Sequence, residues 1–132
     1  MKRVHLLLGL TLVVIFLLTG QYMEYVHNRL LPDGPRLLYR SRHIYILFNA
    51  LINLCLGIYL SGRTPGWRRT LQSVGSVLVL LAPALLLAGF FYEPVRGPNH
   101  TMIAPLGIFA TTAGVLLHLF SGMRRQEKGT QS

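Results

Sequence analysis

The chain has 132 residues, 52% of them apolar and 13% charged, and a mean hydropathy of +0.46. That length holds one domain, and the apolar residues fall in four blocks of about 20, the length of helix that spans a hydrocarbon core of about 30 Å. A soluble globular enzyme is excluded. The net charge of +9 would suggest nucleic acid in a soluble protein. Here the basic residues flank apolar blocks, as loops do beside anionic head groups, and the pattern leaves no basic extramembrane domain to bind a nucleic acid.

The first block covers about residues 4–22 and follows Lys2 and Arg3, which is the layout of a secretory signal as well as of a span. A signal should end in a small-x-small site. Leu18 stands three residues before any cut after Gly20, and no lipobox cysteine follows, so the block reads as an uncleaved first helix. The other blocks cover about 43–60, 71–92 and 101–120. Backbone groups in lipid must bond within their own segment, so each block is expected to be a helix. Pro83 should kink the third, whereas Pro105 falls in the first turns of the fourth, where a missing N–H matters least. Tyr22, Tyr25, Tyr39, Tyr59, Trp67, Phe90, Phe91 and Tyr92 fall near helix ends, as interfacial aromatics do. The expected fold is all-α, an integral membrane four-helix bundle over residues 1–132 with short loops and no soluble domain.

With the N-terminus inside, Lys2, Arg3, Arg63, Arg68, Arg69, Arg124, Arg125 and Lys128 are cytoplasmic, against Arg29, Arg36, Arg40, Arg42 and Arg96 outside. Both termini are then cytoplasmic. The outer loop between helices one and two is itself basic, the first feature that asks for a functional reading. The connections share neither length nor pattern, which argues against an inverted-repeat carrier.

In the second block Arg42, Tyr45, Asn49 and Asn53 step by three, four and four residues and form one stripe that reaches mid-bilayer at Asn53. Amides facing lipid are costly, so the stripe should face a partner helix as interhelical glue, or else wall a polar path. Arg36, Arg40, Arg42 and His43 gather at the outer surface. Guanidinium groups there hold lipid phosphates, or a partner's carboxylates, in bidentate fashion, or simply snorkel among head groups.

The five histidines sort by depth. His27, His43 and His100 lie near the outer surface, where they would suit a zinc or copper site. His5 and His118 lie at similar depth near the cytoplasmic side and could serve as axial ligands of a b-type haem, with Gly9, Gly107 and Gly114 leaving room for the ring. Against both stands simple hydrogen bonding to loop or lipid carbonyls. Glu24 and His27 match the Glu-x-x-His pattern of di-iron bundles, but the chain has four carboxylate side chains in all, Glu24, Asp33, Glu93 and Glu127, too few for such a site or for paired-carboxylate catalysis. No enzyme activity is expected. Gly107, Thr111, Gly114 and His118 on helix four, and Gly75, Ala82 and Gly89 on helix three, form small-residue seams for packing within the bundle or against another subunit.

Around Tyr39-Arg40-Ser41-Arg42-His43-Ile44-Tyr45 the chain resembles a group of small, uncharacterised bacterial four-helix inner-membrane proteins in which an Arg-Ser-Arg-His run opens the second helix. The resemblance implies a bacterial inner membrane and brings no activity or cofactor. The expectation is an accessory or structural protein without a cofactor, bound to membrane lipids and to other membrane subunits or copies of itself. The alternative is a haem b electron-transfer protein ligated by His5 and His118.

Overall fold

A computed structural model of the chain describes residues 1–27, 31–60 and 66–122. Four helices run in chain order: α1 (Lys2–His27), α2 (Asp33–Tyr59), α3 (Trp67–Arg96) and α4 (Ile103–Gly122), with a 3-10 turn, Pro98–His100, between the last two. All four are long and apolar enough to cross a membrane.

The helices outrun the apolar blocks that announce them, because helical hydrogen bonding does not stop where hydropathy falls. The largest difference is at α2, which starts at Asp33, ten residues before the expected 43. Pro32 precedes it and Pro35 occupies its first turn, where a ring-locked φ and a missing N–H suit a helix start. The consequence is functional. Arg36, Arg40 and Arg42 stand on a helix whose faces point in different directions, not on a loop. The α3 helix continues through Pro83 and Pro94 and ends at Gly97, whose φ of 85° favours glycine.

Consecutive helices pack together. The closest pairing is α3 against α4, where the small-residue seams meet: a Cβ on Gly114 would lie 2.7 Å from the Gly75 carbonyl oxygen, and one on Gly89 would lie 2.8 Å from the Ala104 Cβ. Those seams are therefore interior. On the other side α1 and α2 meet at Gly9 and Gly57, where a Cβ would come within 2.8 Å of Leu54 and of the Leu6 backbone respectively. The α1 and α4 helices are held apart, with no Cα atoms within 8 Å.

A small apolar core of Leu12, Tyr39, Ile46, Ala50, Leu86 and Phe90 lies between α1, α2 and α3. Outside it the surface is itself apolar. Leu7, Val14, Leu17 and Leu18 on α1, Ile44, Leu51 and Ile58 on α2, Leu81 on α3 and Phe109 and Leu119 on α4 are all exposed. Soluble monomers do not present apolar side chains round every helix, whereas a lipid-facing bundle must.

Candidate functional site: a polar interior crossing the bundle

Polar side chains are concentrated inside, in two groups. The first lies at the end of the bundle where α3 turns into α4. Arg42 and Glu93 are buried, and the Arg42 Nε donates to Glu93 Oε2 at 2.6 Å. The other oxygen of Glu93, Oε1, accepts from the backbone N–H groups of Ile103 (2.7 Å) and Ala104 (3.0 Å), the first two of α4. Pro105 has no N–H, and the Leu106 N–H reaches the Met102 carbonyl at 3.3 Å. The start of α4 is thus fully accounted for. One carboxylate sits between a guanidinium and the positive end of a helix, so its charge is balanced from both sides. Arg42 also donates from Nη1 to Ser41 Oγ at 2.9 Å, and its guanidinium carbon lies 5.8 Å from the centre of the Tyr45 ring.

The second group runs through the middle and the far end. Thr111 donates to the Gly107 carbonyl at 2.9 Å and accepts from Asn49 Nδ2 at 2.8 Å. Asn53 Nδ2 donates to both the side-chain oxygen (2.8 Å) and the backbone oxygen (3.0 Å) of Asn49. His5 Nδ1 lies 2.7 Å from Asn53 Oδ1. With both amide protons of Asn53 on Asn49, the Asn53 oxygen can only accept, so His5 Nδ1–H is the donor. Every bond then points the same way, from His5 on α1 through Asn53 and Asn49 on α2 to Thr111 on α4. The His118 ring centre is 6.3 Å from that of His5, with the planes at 79°, and His118 Nε2 lies 3.3 Å from Ser76 Oγ on α3. Four helices meet around this chain. Ile46, buried between Arg42 and Asn49 on the same face, separates the two groups.

The residues read from the sequence as an outer cationic cluster are dispersed. Arg42 is turned inward onto Glu93 and is not part of a surface patch, because α2 is already helical there and its position faces α3. His43 points into the α1–α2 groove, where Nδ1 meets Thr19 Oγ1 at 3.0 Å and the ring stacks on Phe16 at 4.0 Å. Arg40 is exposed, as is Arg36, which reaches Asp33 (3.2 Å) and the Leu31 carbonyl (3.1 Å). The stripe of Asn49 and Asn53 faces protein, and Tyr45 lies at its edge, half-buried. His5 and His118 are brought together.

The glycines expected to make room for a haem ring are already filled by neighbours: Gly9 by Leu54, Gly107 by Leu86, and Gly114 by Val79. His100 is exposed on the 3-10 turn, and the side chain of His27 lies outside what is described. Among the described residues no three His, Cys, Asp or Glu side chains group as metal ligands do. Arg29, Arg63, Arg124, Arg125 and Lys128, which entered the charge comparison, and Glu127 also lie outside the described residues. Glu93 was counted in the sequence only as one of few carboxylates. Its signal is its rarity: in so apolar a chain a carboxylate has to find a cation when buried.

No family model, curated protein or solved structure matches this chain.

Proposed function

We propose that this is a multi-pass protein of the bacterial inner membrane with both termini in the cytoplasm, acting as a non-catalytic accessory subunit that docks side-on against other membrane proteins and lipid. The observation that supports this reading is the division of labour between interior and exterior. The buried polar side chains named above each bond within the bundle, and the exposed faces of all four helices carry large apolar residues, with Arg36 and Arg40 left outward at one end. Such a surface offers van der Waals packing to other helices, and guanidinium groups to head-group phosphates or to an acidic loop of a partner.

Extraction in native nanodiscs with no detergent step tests the docking. A partner membrane protein, or a second copy, should be retained at fixed stoichiometry and lost when Phe109 and Leu81 are replaced by serine. Recovery of single chains with lipid alone would overturn the reading. Topology has its own check. Reporter fusions at Ser132 and in the 97–99 connection should give opposite results, the first cytoplasmic, since the basic residues favour that side. A C-terminus that reports outside would mean an inverted bundle or an odd number of spans.

A further inference from the structure

The His5 ring has no accessible surface. Its Nδ1–H is committed to Asn53 Oδ1, which leaves Nε2 as the lone-pair nitrogen, buried and without a hydrogen-bond partner. A buried acceptor left unmatched is rare enough to need a reason. An imidazole whose one nitrogen is anchored on a carbonyl while the other is held open is also the arrangement that orients metal-ligating histidines. Among the described residues the titratable ring beside it is that of His118, whose centre is 6.3 Å away.

That separation leaves room for one shared ion. With metal–nitrogen distances of about 2 Å and ring centres roughly 1 Å further on, two imidazoles ligating one ion from opposite sides have centres about 6 Å apart. The rest of the surroundings narrow the ion. No third His, Cys, Asp or Glu joins the pair among the described residues, so a closed tetrahedral zinc site is not available. Gly9 and Gly114 are filled and His5 is sealed, so a porphyrin plane would require the helices to part. Both donors are neutral, and the desolvation penalty of a buried ion grows with the square of its charge, which favours a monovalent ion over a divalent one.

We propose that His5 and His118 form a two-coordinate site for copper(I), a monovalent d10 ion that accepts linear ligation by two imidazole nitrogens. Ser76 Oγ lies 3.3 Å from His118 Nε2, and in the tautomer that ligates the ion Nε2–H donates to that hydroxyl oxygen while Nδ1 carries the lone pair. His118 is half-buried, and the ion enters past it. Binding forms two nitrogen–copper bonds and involves no change of oxidation state. The site is independent of whatever the outer faces dock against.

The test uses the full chain in lipid nanodiscs, with copper(I) kept reduced by ascorbate and a chromophoric copper(I) chelator as competitor. One equivalent should bind, and the X-ray absorption edge of the loaded wild-type protein should show the intense pre-edge feature of two-coordinate copper(I) with nitrogen neighbours only. That measurement needs no variant. His118→Phe should weaken binding at least tenfold, whereas Cys55→Ser and His100→Ala, both exposed positions, should leave it unchanged. An edge showing three or four ligands or any sulfur, unaltered affinity in His118→Phe, zinc(II) competing equally, or a Soret band in protein from haem-replete cells would each overturn the proposal.

Discussion

Glu93→Ala should destabilise the bundle by about 3–5 kcal/mol, the range found when one partner of a buried ion pair is removed and the other is left uncompensated. Here the loss is twofold. Arg42, 7% exposed, keeps its charge with no carboxylate beside it, and the Ile103 and Ala104 N–H groups lose their acceptor at the start of α4. Unfolding of the purified protein in mixed micelles by increasing SDS fraction measures the change. Two further variants separate the contributions. Glu93→Gln keeps an oxygen for the α4 N–H groups but cannot neutralise Arg42, so it should remain strongly destabilised. Adding Arg42→Met to Glu93→Gln should recover much of the loss, since replacing both charges of a buried pair is far milder than breaking it. Arg96→Gln, an exposed change at the end of the same helix, should do little. A Glu93→Ala protein within about 1 kcal/mol of the parent would show that this pair does not hold together the end of the bundle where α3 turns into α4.

Asn53→Leu should be the most damaging change in the middle of the bundle, by about 2–4 kcal/mol, because it removes an acceptor and two donated bonds at once and leaves buried groups unmatched. The His5 N–H loses its only acceptor, and the Asn49 side chain loses the donor that fixes its orientation toward Thr111. A leucine is the more favourable residue if that position faces lipid, so the sign of the effect is diagnostic. Thr111→Val deletes one link between helices, the acceptor for Asn49 Nδ2, along with a bond to the Gly107 carbonyl of its own helix, and should lose only about 0.6–1.7 kcal/mol. The same SDS titration compares the two, and a stabilised Asn53→Leu protein would place the stripe on the outside of the molecule.

The two effects differ in how far they were legible beforehand. The Asn49–Asn53 stripe follows from helical spacing and from the penalty for amides in lipid, and its partner had to be another helix. Which helix was another matter. That Asn49 meets Thr111, 62 residues away, depends on the rotation of α2 and α4 about their axes. Arg42 illustrates the harder case. Read along the chain it belongs with Arg36, Arg40 and His43, since all four lie within eight consecutive residues. Helix α2 separates them by rotation, sending Arg42 to α3 and His43 to α1 while Arg36 and Arg40 stay outside.

By itself, the sequence determined the number of helices and their apolar length, because roughly 20 residues per crossing is a requirement of the hydrocarbon core and leaves a plain mark in composition. It also determined that two amides, Asn49 and Asn53, would be expensive to leave facing lipid. Tertiary structure alone decided who satisfies whom. Glu93 reaches Arg42 across 51 residues, and His5 reaches His118 although the α1 and α4 backbones stay apart. The physical reason lies in the solvent. In water the buried face of a helix is apolar and the outer face polar, so hydropathy reports rotation. In this chain both faces are apolar, and the angle at which each helix turns its few polar groups inward is fixed only by the hydrogen bonds and close backbone contacts that form when the helices pack.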